Sequence, residues 1–66
     1  MKEKIANKLY KMWLFREEAT NGSPIYTIRN ARLSGAVSLA KEIGFNVAFN
    51  PLANENENPF IVEEIK

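Results

Sequence analysis

Hydrophobic and polar positions along this chain fall into short blocks, and the sharpest break between them is Thr20-Asn21-Gly22-Ser23. Asn-Gly supplies the two positive-φ positions of a type I′ turn, whose twist matches that of flanking strands. Leu9–Arg16 before it is rich in aromatic residues, and Ile25–Arg29 after it is β-branched and aromatic. The pattern predicts a β-hairpin, with the Pro24 nitrogen on its outward side because proline has no amide to donate. A two-residue turn then sets Phe15 opposite Ile28, Glu17 opposite Tyr26 and Trp13 opposite Asn30. On the other face it sets Leu14 opposite Arg29, Arg16 opposite Thr27 and Glu18 opposite Ile25. Trp13, Phe15, Tyr26 and Ile28 form the more apolar face, which is expected to meet the core. The second face mixes Tyr10, Met12, Leu14 and Ile25 with Arg16, Thr27 and Arg29. It is too apolar for a plain solvent face and too charged for a core.

Beyond the turn the period changes. Leu33, Ala36, Val37, Ala40 and Ile43 recur at three- and four-residue steps and predict a helix over 30–43, capped at its start by Asn30 or Ser34. Gly44 reads as the left-handed residue that ends it, and Phe45 as the apolar residue that follows such a cap. Gly35, Ala36 and Ala40 would let the helix lie close against the hairpin. Asn46–Asn50 alternates as a half-buried strand, with Val47 and Phe49 on one face and Pro51 ending it. Leu52–Pro59 is a polar loop, and Phe60–Ile65 closes the chain as a last strand. The expected fold is a single α+β domain in the order β-β-α-β-β, one helix on a small antiparallel or mixed sheet. Residues 2–8 read as a helical turn or a frayed end.

Composition narrows what such a domain does. The chain has 66 residues, 45% of them apolar and 26% charged, which is globular and near the lower limit for an unaided core. It contains no Asp, His, Cys or Gln. Acid–base and nucleophilic catalysis and transition-metal sites draw on those types, so binding is expected rather than catalysis, with no cofactor and no small-molecule substrate. Without cysteine or histidine, disulfide and zinc staples give way to oligomerisation or docking as the means of completing a small core. No stretch approaches the about 18–20 apolar residues of a membrane span, and no signal-peptide pattern is seen, so the chain reads as cytoplasmic. Asn21-Gly22-Ser23 matches a glycosylation pattern but reads as a turn.

Net charge is only +1, yet residues 1–41 carry eight Lys/Arg against three Glu, and residues 42–66 carry one Lys against five Glu. Such asymmetry marks either a basic surface or two halves that neutralise each other after folding. The Asn/Glu-rich loop lacks the Asp ligands and central glycine of an EF-hand, so a solvated loop is preferred to a calcium site. Glu17-Glu18 and Glu63-Glu64 are adjacent on predicted strands, which sends each pair of carboxylates to opposite faces. The candidate partner-binding residues are therefore Tyr10, Met12, Leu14, Arg16, Ile25, Thr27 and Arg29. Their composition fits a protein interface or self-association as a homodimer. Two other accounts stay open: a terminal segment covering that face, or a nucleic-acid surface using the basic N-terminal half.

Tyr26-Thr27-x-x-Asn30-x-Arg32-Leu33, a helix ending Gly44-Phe45, and Asn58-Pro59-Phe60 entering a last strand resemble short uncharacterised proteins of Firmicute phages and prophages. The resemblance spans about residues 26–62, with a helix about one turn longer than that pattern. It brings no assigned chemistry. What it implies is context: a small binding protein that modulates or inhibits a host protein or defence complex by occluding it.

Overall fold

The computed structural model describes residues 1–65 and shows two helices followed by two strands. They are α1 (Lys2–Glu17), α2 (Pro24–Glu42), β1 (Phe45–Phe49) and β2 (Phe60–Glu64). The class is α+β in one small domain, but the order is α-α-β-β, so the expected β-β-α-β-β arrangement is corrected. The segments read as an N-terminal β-hairpin are helical, and residues 2–8 are the opening turns of α1 rather than a frayed end.

The physical reason lies in spacing and in caps. Ile5, Ala6, Leu9, Tyr10, Met12, Trp13 and Arg16, the half-buried or buried positions of α1, recur at three- and four-residue steps. That period turns one side of a helix inward, whereas a strand would need alternation. Ser23 and Pro24 open α2: the Ser23 hydroxyl accepts from the Tyr26 amide at 3.1 Å, and proline occupies the first helical position. Proline is favoured there because its missing amide has no helical partner to lose. The Asn-Gly pair makes the connection between helices instead of a type I′ turn. Gly22 has φ 86°, while no non-glycine residue takes positive φ, so Asn21 does not supply the second left-handed position.

The second half follows the sequence pattern more closely. α2 ends where expected, with Gly44 at φ 101° and its amide donating to the Lys41 carbonyl at 3.2 Å. Phe45 is buried immediately after. β1 and β2 pair antiparallel with Phe45 opposite Glu64, Val47 opposite Val62 and Phe49 opposite Phe60. Alternation sends Phe45, Val47, Phe60 and Val62 toward the helices and leaves Asn46, Ala48, Ile61 and Glu63 on the uncovered face. The helical pair lies across the inner face, α1 over β2 and α2 over β1. A Cα envelope only 16 Å thick in its shortest direction leaves room for these two layers.

Leu9, Leu33, Ala40, Phe45, Phe60 and Val62 form the buried core, and Leu9, at 2% exposure, is its most enclosed large side chain. Trp13, Phe49 and Phe60 extend it as an edge of packed rings with centroids 6.0 and 5.4 Å apart. The Asn-rich loop is tied down rather than free. Asn58 Nδ2 donates to the Ala6 carbonyl at 3.0 Å, Tyr10 Oη donates to the Glu55 carbonyl at 3.2 Å, and Asn50 and Asn58 accept from Leu52 and Phe60 amides.

A chain of this length holds about 3–10 kcal/mol of stability. Replacing Leu9 with Ala should remove about 2–5 kcal/mol, enough to leave a large unfolded fraction in chemical denaturation. Glycine substitutions should split by sign. Gly35 is exposed within α2 with open space where a Cβ would go, so Gly35→Ala should stabilise by up to about 1 kcal/mol. Gly44→Ala forces an L side chain into φ 101° and should destabilise by about 1–2 kcal/mol.

Candidate functional site

The seven residues expected to form one binding face are divided by the helical fold. Tyr10 stacks near Trp13 with ring centroids 6.3 Å apart and holds the β1–β2 loop through Glu55. Leu14 is exposed one turn further along that same flank of α1. Met12 lies on the opposite flank and shares a shallow groove with Lys8, Phe15, Arg29 and Arg32. Thr27 points away from both, its hydroxyl donating to the Ser23 carbonyl at 3.2 Å. Ile25 is exposed in the first turn of α2.

Arg16 and Arg29 are half-buried and engaged between the two helices. Arg29 donates to the Phe15 carbonyl at 2.8 Å, and its guanidinium lies 3.6 Å from the centre of the Phe15 ring. Arg16 donates to Asn30 Oδ1 at 2.9 Å, pairs with Glu17 at 2.6 Å and lies 5.3 Å from the Tyr26 ring centre. Each helix thus sends one arginine across to the other at the loop end of the helical pair. The two clamps are unequal, because Arg16 Nε is buried without a hydrogen-bond partner while Arg29 carries no such cost.

A different surface emerges on the side of the helices that faces away from the sheet. On α1, Lys4, Lys8, Lys11 and Phe15 follow one another at steps of four, three and four, which places them on one face. On α2, Ile25, Arg29, Arg32, Ala36, Leu39 and Ile43 run at alternating steps of four and three. That is the period of a helix-packing seam, and here it lies open. Between the helices runs a groove of about 250 Å³ lined by Lys4, Ile5, Lys8, Leu9, Ala36, Leu39, Ala40 and Ile43. Ala36 and Ala40 keep its floor low, while Leu39 and Ile43 remain 58% and 59% exposed on its wall. Toward the loop end the groove shares Lys8 with a second groove, lined also by Met12, Phe15, Arg29 and Arg32.

Charge on this face has one sign. The ion pairs found among the described residues are Lys2–Glu63 and Arg16–Glu17, so Lys4, Lys8, Lys11 and Arg32 have no carboxylate partner there. Neither groove has a carboxylate in its lining. Four glutamates stand on the ribbon and its loop, Glu55 and Glu57 in the loop and Glu63 and Glu64 on β2, and the others, Glu3, Glu17, Glu18 and Glu42, line neither groove. A larger concavity of about 470 Å³ opens between α2 and the end of the ribbon, among Trp13, Asn30, Ser34, Val37, Phe49 and Phe60. Its one cation, Arg16, is already matched by Glu17. The structure has no helix long and apolar enough to cross a membrane among the described residues.

The lysine spacing and the four–three spacing of α2 are both present in the sequence. Reading residues 9–29 as strands broke each series in two, and so the face went unrecognised.

The clamps generate a stability test. Arg29→Ala should cost about 1–2 kcal/mol, combining a charge-assisted hydrogen bond with a close stack on Phe15. Arg16→Ala should cost less than about 1 kcal/mol, because the change also frees the buried Nε. Urea unfolding of the two variants checks both the size and the order.

Comparison of the chain with protein-family models, with curated proteins and with solved structures gives no match.

Proposed function

We propose that this is a non-enzymatic binding protein that holds a protein partner on the sheet-distal face of its two helices. The observation that carries the reading is the company of exposed apolar side chains and unpaired cations on one surface. Leu39 and Ile43, each more than half exposed, line one groove with Lys4 and Lys8, and Phe15, about half exposed, lines the other with Lys8, Arg29 and Arg32, with no carboxylate in either. Contiguous apolar surface rimmed by charge is the physical character of an interaction site. The output of binding in this reading is occlusion of the partner, as in the phage-type modulator that the sequence resemblance implies.

Homodimerisation through this face is disfavoured by its own charge. A two-fold interface brings the same patch of both copies together and would set lysines and arginines against their equivalents. An acidic protein partner meets no such penalty.

The cations also favour a second reading, a nucleic-acid surface. Two features weigh against it. The ring available for base stacking on this face, Phe15, is covered by the Arg29 guanidinium at 3.6 Å. At the Leu39–Ile43 end the groove is lined by more apolar side chains than cations, which suits a protein surface better than a phosphate backbone.

Immobilised protein should retain a nuclease-resistant protein partner from a lysate of the cells that make it. Leu39→Glu, or Lys8→Glu with Arg32→Glu, should abolish retention, while Ile61→Glu on the outer sheet face should leave it intact. Nuclease-sensitive capture that fades steeply with salt would instead favour nucleic acid. Equal retention by all variants would remove this face from consideration.

A further inference from the structure

Resting on that reading of the face, we infer that its occupant is an acidic amphipathic helix that lies along the groove between α1 and α2. The groove is the kind of seat that packed helices offer a third. Two antiparallel neighbours leave a furrow between them, and ridges of a further helix enter such furrows when the floor is low and the walls are apolar. Here the floor is Leu9, Ala36 and Ala40, and the walls are Ile5, Leu39 and Ile43. The four–three repeat of α2 continues past the apolar end, through Ala36 and Arg32 to Arg29.

Length follows from the same repeat. From Ile43 back to Arg29 is a run of about 21 Å at 1.5 Å per residue, which a partner helix of about two heptads matches. Composition follows from charge. The apolar stripe of the partner would rest on Leu39, Ile43 and Ile5, and its flanking positions would meet Lys4, Lys8 and, toward the loop, Arg32. With no carboxylate in either groove, glutamates at those flanking positions gain partners, whereas lysines there meet like charge. An extended strand would bury the apolar walls equally, but it lacks the 3.6-residue period that sets anchors one turn apart along Leu39 and Ile43.

The probe is a fluorescently labelled two-heptad peptide with Leu at its seam positions and Glu at the flanks. Binding is followed by anisotropy, and contact by amide shifts in the isotopically labelled protein. The expected result is micromolar affinity, helix formation on binding, and shifts concentrated at Ile5, Leu9, Ala36, Leu39, Ala40 and Ile43. Leu39→Glu, a change at an exposed position that circular dichroism should show to be folded, should weaken binding by about tenfold or more. Lys4→Gln with Lys8→Gln should weaken it comparably and remove most of its salt dependence. A peptide of identical composition with the leucines scrambled off the seam should bind at least about tenfold more weakly. Equal binding of the scrambled peptide, or displacement of the probe by double-stranded DNA at lower concentration, overturns the inference. If the peptide fails while Leu39→Glu still abolishes retention of the cellular partner, the helix is refuted and the protein-binding reading of the face survives. If both fail, the face itself is refuted.

Discussion

A two-stranded ribbon cannot hold itself together in water, and the rest of this domain is arranged around that constraint. β1 and β2 present Phe45, Val47, Phe60 and Val62 on one side, and those side chains need a cover. The helical pair supplies it through Leu9, Leu33 and Ala40. Neither half has a core without the other, since the buried cluster takes members from both helices and both strands. Long-range polar contacts reinforce the same joint, with Asn58 bound to Ala6, Tyr10 to Glu55 and Lys2 paired with Glu63. The last of these is exposed and adds little, so packing at Leu9 governs the joint.

With only two layers, each helix has one side committed to the ribbon and another facing outward. The committed sides explain why the clamps at the loop end matter. Core residues of α2 are confined to Leu33 and Ala40, while its first two turns, from Pro24, have no fully buried side chain. Arg29 on Phe15 and Arg16 on Asn30 hold that end where apolar packing is thin. Arginines that looked like interface residues in the sequence are therefore occupied within the fold. Their planar guanidinium groups suit both the ring stacking and the fixed hydrogen bonds.

How much of this was legible varied along the chain for physical reasons. Val47 and Phe49, then Phe60 and Val62, alternate and are bounded by Gly44 and by Asn/Pro-rich sequence, so both strands and the helix end before them could be read. The N-terminal half carried two conflicting local signals. Asn21-Gly22 with aromatic and β-branched flanks favours a hairpin, while Ser23-Pro24 favours a helix start. The second signal goes with the structure because it agrees with the long-range requirement: only a helix turns Leu9, Met12 and Trp13 together toward the core, since a strand would send Met12 and Trp13 to opposite faces. Charge asymmetry was visible from composition alone, but its meaning was not. Folding does not neutralise it. Lys4 and Lys8 of α1 stand on the outer groove and Arg32 of α2 on the adjoining one, neither lined by a carboxylate, while four of the eight glutamates stand on the ribbon and its loop.

That separation bears on why so small a domain tolerates Leu39 and Ile43 in solvent. Their exposure contributes nothing to the isolated fold, and like-charge repulsion among Lys4, Lys8, Lys11 and Arg32 opposes it slightly. Both costs fall when an acidic apolar surface is seated on the helices. The seated partner would add a third layer, burying apolar surface that a chain of this length cannot bury by itself. Binding and folding are then linked, because whatever binds the native form alone stabilises it in proportion to its concentration over its dissociation constant. On the proposed reading, the open seam is the same feature viewed twice: the part of the core that the chain leaves incomplete, and the part of the surface where the proposed partner would gain most by completing it.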